Sequence, residues 1–174
     1  YLATQHLLGL GHRDVAYIGG PAETGVTQLR LSGFRRAMAE AGAPVLGSRV
    51  LHCDFTSPGG HAAAAQVLEG KRPSAIFAGN DMIGFGVLRA AAERNISVPG
   101  ELSVIGFDDI QMSRYVYPAL TTVGQSILQL GETAAELLLR RIAARELPVD
   151  QRIVTPNIVL RESTAPLSSA FAEY

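Results

Sequence analysis

The acidic pair Asp108-Asp109, which follows the apolar run Leu102-Ser103-Val104-Ile105, is where this 174-residue chain has residues able to do chemistry. Adjacent carboxylates after a strand can hold Mg2+ for phosphoryl transfer, and a single carboxylate can receive the hydroxyls of a polar ring. The first use wants a lysine at a neighbouring strand tip, and the sole lysine, Lys71, precedes a strand instead of following one. The simpler reading has Asp109 capping the next turn and Asp108 alone pointing into a crevice. The stretch from Gly20 to Gly25 has the spacing of a phosphate loop, but Val26 stands where the phosphate-reaching lysine belongs, so it reads as an ordinary turn. Gly9-x-Gly11 and Gly84-x-Gly86 lack the dinucleotide fingerprint. His6, His12, His52 and His61 show no metal-ligand spacing and no paired acid and hydroxyl, so no metal, cofactor or catalytic residue is expected. His12 reads as satisfying backbone groups at a helix end, and His52 as a strand residue.

Five side chains remain: Arg30, Phe55, Asn80, Asp108 and Gln125. A carboxylate and a guanidinium fork can share adjacent hydroxyls, amides give donors and acceptors, and an aromatic face covers the C–H side of a sugar or stacks on a base. That chemistry binds a neutral polar ring without cleaving it. The competing explanation is structural, with Arg30 paired to Asp108 and Phe55 in the core, because ion pairs also sit in clefts without function.

The elements that must position these residues alternate. Val15–Ile18, Val50–Cys53, Ala75–Ala78, Leu102–Ile105 and Leu120–Gln125 are short, mostly apolar runs that read as strands. Between them lie helical patterns from about Thr27 to Ala41, from the Ser57-Pro58-Gly59-Gly60 start through Leu68, and from Asp81, read as the N-cap, to Asn95. Met82, Phe85 and Leu88/Arg89 form a second flank on the last of these, which implies a subunit contact. A helix at Tyr1–Leu10 opens the chain. An amphipathic one at Ser126–Ala144 carries Ile127, Leu130, Ala134, Leu137, Leu138 and Ile142 on one stripe. Gln151–Pro156 and Ile158–Arg161 read as two further strands, and the polar tail from Glu162 as unpacked. Such alternation predicts an α/β fold, a doubly wound parallel sheet of order 2-1-3-4-5 in three Rossmann- or flavodoxin-like α/β/α layers, with ligands at the strands' carboxyl ends.

Composition closes other doors. The chain is 47% hydrophobic and 18% charged, enough for one core, and its net charge of -1 offers no electrostatic footprint for DNA. No apolar run approaches the roughly 20 residues of a membrane span and no signal peptide opens the chain, so a cytoplasmic location is expected. Cys53 alone excludes an internal disulfide or a cysteine zinc cluster.

Gly11-His12-Arg13, the run to Pro21, Arg30-Leu-Ser-Gly33-Phe34, Ala78-Gly-Asn80-Asp81, Val98-Pro99 to Asp109, Leu120-Thr-Thr-Val123 and Arg161-Glu-Ser-Thr164 together resemble the lactose-repressor/galactose-repressor (LacI/GalR) family of bacterial transcription regulators. The resemblance covers nearly the whole chain. It implies a periplasmic-binding-protein-like effector domain whose small molecule, a sugar first and a nucleobase second, is held at Arg30 and Asp108 with supporting contacts at Phe55, Asn80 and Gln125. It implies a homodimer and operator DNA bound by a helix-turn-helix outside these residues. The chain would then be mainly the C-terminal effector subdomain (about 13–125 and 150–162), with helices 1–10 and 126–144 belonging to a missing N-terminal subdomain and poorly covered here. A periplasmic sugar-binding protein of a transporter is the alternative that shares the fold. An Mg2+ enzyme using Asp108 and Asp109 is the third.

Overall fold

In this computed structural model, residues 1–146 and 148–167 are described. The strands β1 (Val15–Gly19), β2 (Val50–His52), β3 (Ala75–Ala78), β4 (Ser103–Asp108), β5 (Thr121–Gly124) and β6 (Asn157–Val159) form one sheet in the order β2-β1-β3-β4-β5-β6. The first five are parallel and β6 is antiparallel to β5, so the expected order appears with one strand added at the edge.

Alternation along the buried strands divides the core. Ala16, Ile18, Ile76, Ala78 and Val104 face the helices α3 (Ser57–Val67) and α4 (Asp81–Glu93), meeting Ala64, Val67, Ile83, Val87 and Ala91. Val15, Tyr17, Phe77, Ile105 and Val123 face the other way, onto Phe34 and Met38 of α2 (Gly25–Glu40) and Leu7 of α1 (Leu2–Gly9). Tyr17 stacks on Phe34 at 5.6 Å between centroids and meets Phe77 edge-on at 5.3 Å.

This arrangement corrects the assignment of residues 1–10 to an absent subdomain. Ala3, Thr4 and Leu7 are buried against the sheet, so α1 is an integral part of the second helical layer. Helix α5 (Ile127–Ala143) is different: it has no buried residue, and Ile127, Leu128, Leu138, Leu139 and Ile142 are each more than 60% exposed.

Two further expectations fail. Gln151–Pro156 is not a strand, because its chain makes no ladder with β5 before Asn157. The segment from Glu162 is not a loose tail as far as Leu167; residues 168–174 lie outside the described residues. Ser163 is fully buried, its carbonyl accepts from Val104 N at 2.7 Å, and its hydroxyl accepts from Thr121 N at 2.8 Å while donating to Val104 O at 2.6 Å. Leu167 N reaches Leu10 O at 2.8 Å.

The strap meets His12, which is buried between Ser74 Oγ and Ser103 Oγ, each at 3.0 Å, with Ala165 O at 3.1 Å. His12 thus ties side-chain hydroxyls and the strap together, more than the helix-end role expected of it. Burial pushes its imidazole below the ordinary 6.5, and burial lowers His6 likewise. A base whose folded pKa is depressed stabilises the fold fully above its unfolded pKa and loses that contribution as pH falls through the lower folded value. Thermal stability should therefore decline as pH drops below about 6.5. In His12→Asn, melting followed by circular dichroism should show a shallower decline, with His6 keeping part of it.

Candidate functional site

The sheet's winding reverses between β1 and β3, and at such a switch point ligands bind outside the strands' carboxyl ends. Short glycine-bearing turns close both tips, and Gly19, Gly20, Gly79 and Asn80 are all buried. Gly19 ends β1 and Gly20 follows it, with the Phe55 ring lying so close over Gly20 that a side chain there would overlap it. Gly79-Asn80 follow β3, and Gly79 N donates to Ile18 O at 2.7 Å, drawing the two tips together.

All five sequence-derived residues lie along this edge, in two linked groups, Gln125–Asp108–Arg30 and Asn80–Phe55. Arg30 projects from α2, its Nη1 donating to Gly79 O at 2.6 Å and its Nη2 to Asp108 Oδ1 at 3.3 Å. The guanidinium carbon lies 4.0 Å from the centroid of Phe107, a stacking contact the sequence did not single out. Gln125 Nε2 donates to the same Asp108 oxygen at 3.4 Å. Asn80 Nδ2 donates to Phe55 O at 3.4 Å. The ion pair of the competing structural explanation is therefore present. Its long, single-pronged geometry, with Asp108 Oδ2 outside both bonds, leaves acceptor capacity at a crevice wall where the two side chains are 15% and 26% exposed.

The α4 N-cap falls one residue earlier than expected. Asn80, not Asp81, is the cap, its Oδ1 accepting from Ile83 N at 2.8 Å. Capping occupies its oxygen and one N–H donates to Phe55 O, which leaves its second N–H for another partner.

Asp109 does not cap a turn either. It pairs with Arg161, whose Nη1 also donates to Leu120 O at 2.8 Å. Asp108 (φ 114°) and Asp109 (φ 55°) occupy consecutive left-handed conformations, which a non-glycine residue adopts only at a cost of about 1–3 kcal/mol each. Such a pair persists where surrounding bonds over-determine it. Burial raises the Asp108 carboxyl above its ordinary range against the opposing pull of Arg30, with the charge of Asp81 adding to the rise.

Asp81 is what sequence reasoning missed: a 1% exposed carboxylate with no cation beside it. The Asn-Asp pair after a strand was its only signal. Elsewhere, Leu88 faces the core instead of the second flank of α4, whereas Met82 is 40% exposed and Phe85 lies half-buried in a hollow with Pro58, His61 and Arg89. Among the described residues no three His, Cys, Asp or Glu side chains converge as a metal would require, and no helix is long and apolar enough to cross a membrane.

A family model for the periplasmic binding protein-like domain matches residues 4–164. The HTH-type transcriptional repressor PurR of Salmonella paratyphi B is 40% identical over 166 residues, 95% of this chain and 49% of that protein. The chain spans about half the length of the curated relatives it matches. Among solved structures, a LacI family transcriptional regulator from Enterococcus faecium with bound ribose superposes with a TM-score of 0.87 at 35% identity, covering 97% of this chain and 62% of that one. A regulatory protein of the LacI family from Chloroflexus aggregans gives a TM-score of 0.88 at 32% identity, over 94% of this chain and 59% of that one.

Proposed function

The chain belongs to the periplasmic binding protein-like domain family, and from that premise we propose that it is the ligand-sensing part of a LacI-type transcriptional regulator. The observation that carries the reading is the linked cluster Gln125–Asp108–Arg30 at the sheet's switch point, a set of donors and acceptors suited to a neutral, hydroxyl-bearing ring. Phe55 supplies an aromatic face and Asn80 an amide donor. The effector is a sugar, in keeping with the ribose named in a structural neighbour; a nucleobase is the second class, since an aromatic face serves either.

In the whole protein, effector closing this half-site against a second subdomain alters operator affinity at a DNA-binding part outside these residues, with the two ligands coupled reciprocally. Residues 126–144 belong to that second subdomain, which would cover their apolar face. The regulator is a cytoplasmic homodimer, and Met82 and Phe85 on the outer flank of α4 are the apolar residues offered for the subunit contact.

Operator titrations of the full-length protein, with monosaccharides, disaccharides and nucleobases added in turn, test this. A compound from one of these classes should change operator affinity. No change across all of them would refute the reading.

A further inference from the structure

We propose that Asp81 is the positioning residue of the effector site, a buried carboxylate that fixes the end of β4 so that Asp108 faces the crevice, without touching ligand itself. The proposal rests on the ligand-binding reading of Asp108 above.

Asp81 opens α4 directly beneath the crevice, and its two oxygens are occupied by donors from two other parts of the sheet edge. Oδ1 accepts from Thr122 Oγ1 on β5 at 2.5 Å. Oδ2 accepts from Ser113 Oγ at 2.6 Å and from Ile110 N at 2.9 Å, both in the turn that follows β4. A buried carboxylate is tolerated when its lone pairs are met by such bonds, and charge-assisted bonds are about twice as strong as neutral ones. Removing it would orphan three donors at once.

Those bonds act on the strained pair. The near end of Asp108-Asp109 is fixed by the pairing of Asp108 with Gly124 across the β4–β5 ladder, and Asp109 is fixed by Arg161. Ile110 is the first residue beyond the two left-handed residues, so its bond to Asp81 fixes the far end. With both ends tied, the unfavourable dihedrals are held and the Asp108 carboxylate keeps its direction. Gly106 makes room for the arrangement, since a side chain there would overlap Asp81 Oδ1. The charged groups facing Asp108 are Arg30 from α2 and Asp81 from α4, with Gln125 a neutral donor after β5. Asp81 therefore adds to the rise that burial gives the Asp108 carboxyl, against the pull of Arg30, besides holding its direction.

The test is the side-chain carboxyl NMR titration of Asp108 in the full-length protein and in Asp81→Asn, together with amide exchange at Ile110. The substitution should lower the Asp108 midpoint, because a neighbouring negative charge is gone, and should speed Ile110 exchange about tenfold through the lost charged bond. Ribose, used as the probe, should bind the variant about tenfold more weakly. A variant that merely melts earlier, with Asp108 midpoint and Ile110 protection as in wild type, overturns the proposal. Should Asp81→Asn fail to fold, Thr122→Val frees Oδ1 while the charge of Asp81 stays, so Ile110 exchange must quicken as the carboxylate loses an anchor, with no fall in the Asp108 midpoint required; unchanged Ile110 protection again overturns it. Failure of ribose to bind the wild type would count against a sugar effector alone, since titration and exchange decide the role of Asp81 without ligand.

Discussion

Arg30→Ala in the full-length protein is expected to weaken effector binding about a hundredfold while leaving operator affinity measured without effector unchanged. Truncating one partner of a hydrogen-bonded charge pair costs about 2–5 kcal/mol, and a hundredfold lies within that range. The loss has three parts here: the fork that bridges Gly79 O and Asp108, the cation stacked on Phe107, and the charge that holds the Asp108 carboxyl down. Arg30→Lys keeps only the charge, because an ammonium cannot span both oxygens in the plane of the ring, so it should recover little. Calorimetric titration with effector and operator binding by anisotropy measure the two arms. Wild-type effector affinity in Arg30→Ala would mean that the Arg30–Asp108 pair serves the fold alone.

Gly86→Ala is expected to cost about 3 kcal/mol in urea denaturation, the upper end of what an overpacked methylene does. Helices α3 and α4 pack backbone to backbone, and a Cβ on Gly86 would overlap the Ser57 carbonyl, the His61 nitrogen and the Gly60 carbonyl carbon. Backbone cannot swing aside as a side chain can, so the helices must separate and give up part of the contact among Ala64, Val67, Val87 and Ala91. Gly131→Ala is the matched control, because nothing lies within 4 Å of its added carbon and α5 gains helix propensity. Equal stability of the two variants would contradict the close packing of α3 on α4.

The parallel strands and their order were legible because each central strand is a short apolar run bounded by polar turns, and alternation then assigns its faces. The edge residues were legible for a related reason: Asn80, Asp108 and Gln125 are polar just where the apolar strand runs stop, and Arg30 falls in the first turns of α2, on the end facing those tips. Asp81 escaped because an acid at a helix start reads as a cap, and its burial arises only when Thr122 and Ser113 arrive from distant sequence. Ser163 escaped likewise, since a polar residue near a terminus signals exposure until Val104 and Thr121 satisfy it. Tyr1–Leu10 is apolar enough to be a helix, but which layer it joins is decided by the fit of Leu7 between Phe34 and the sheet, which local pattern does not encode.

Gly124 pairs with Asn157 at the end of the antiparallel β5–β6 ladder. The stretch from 125 to 156 departs and returns at opposite sides of one rung, and its helix buries nothing in the sheet it leaves. A short turn that keeps Gln125, whose Nε2 donates to Asp108, could splice the two strands together without altering the ladder. In construction terms, α5 is a detachable storey, and the six strands beneath it already close their own roof.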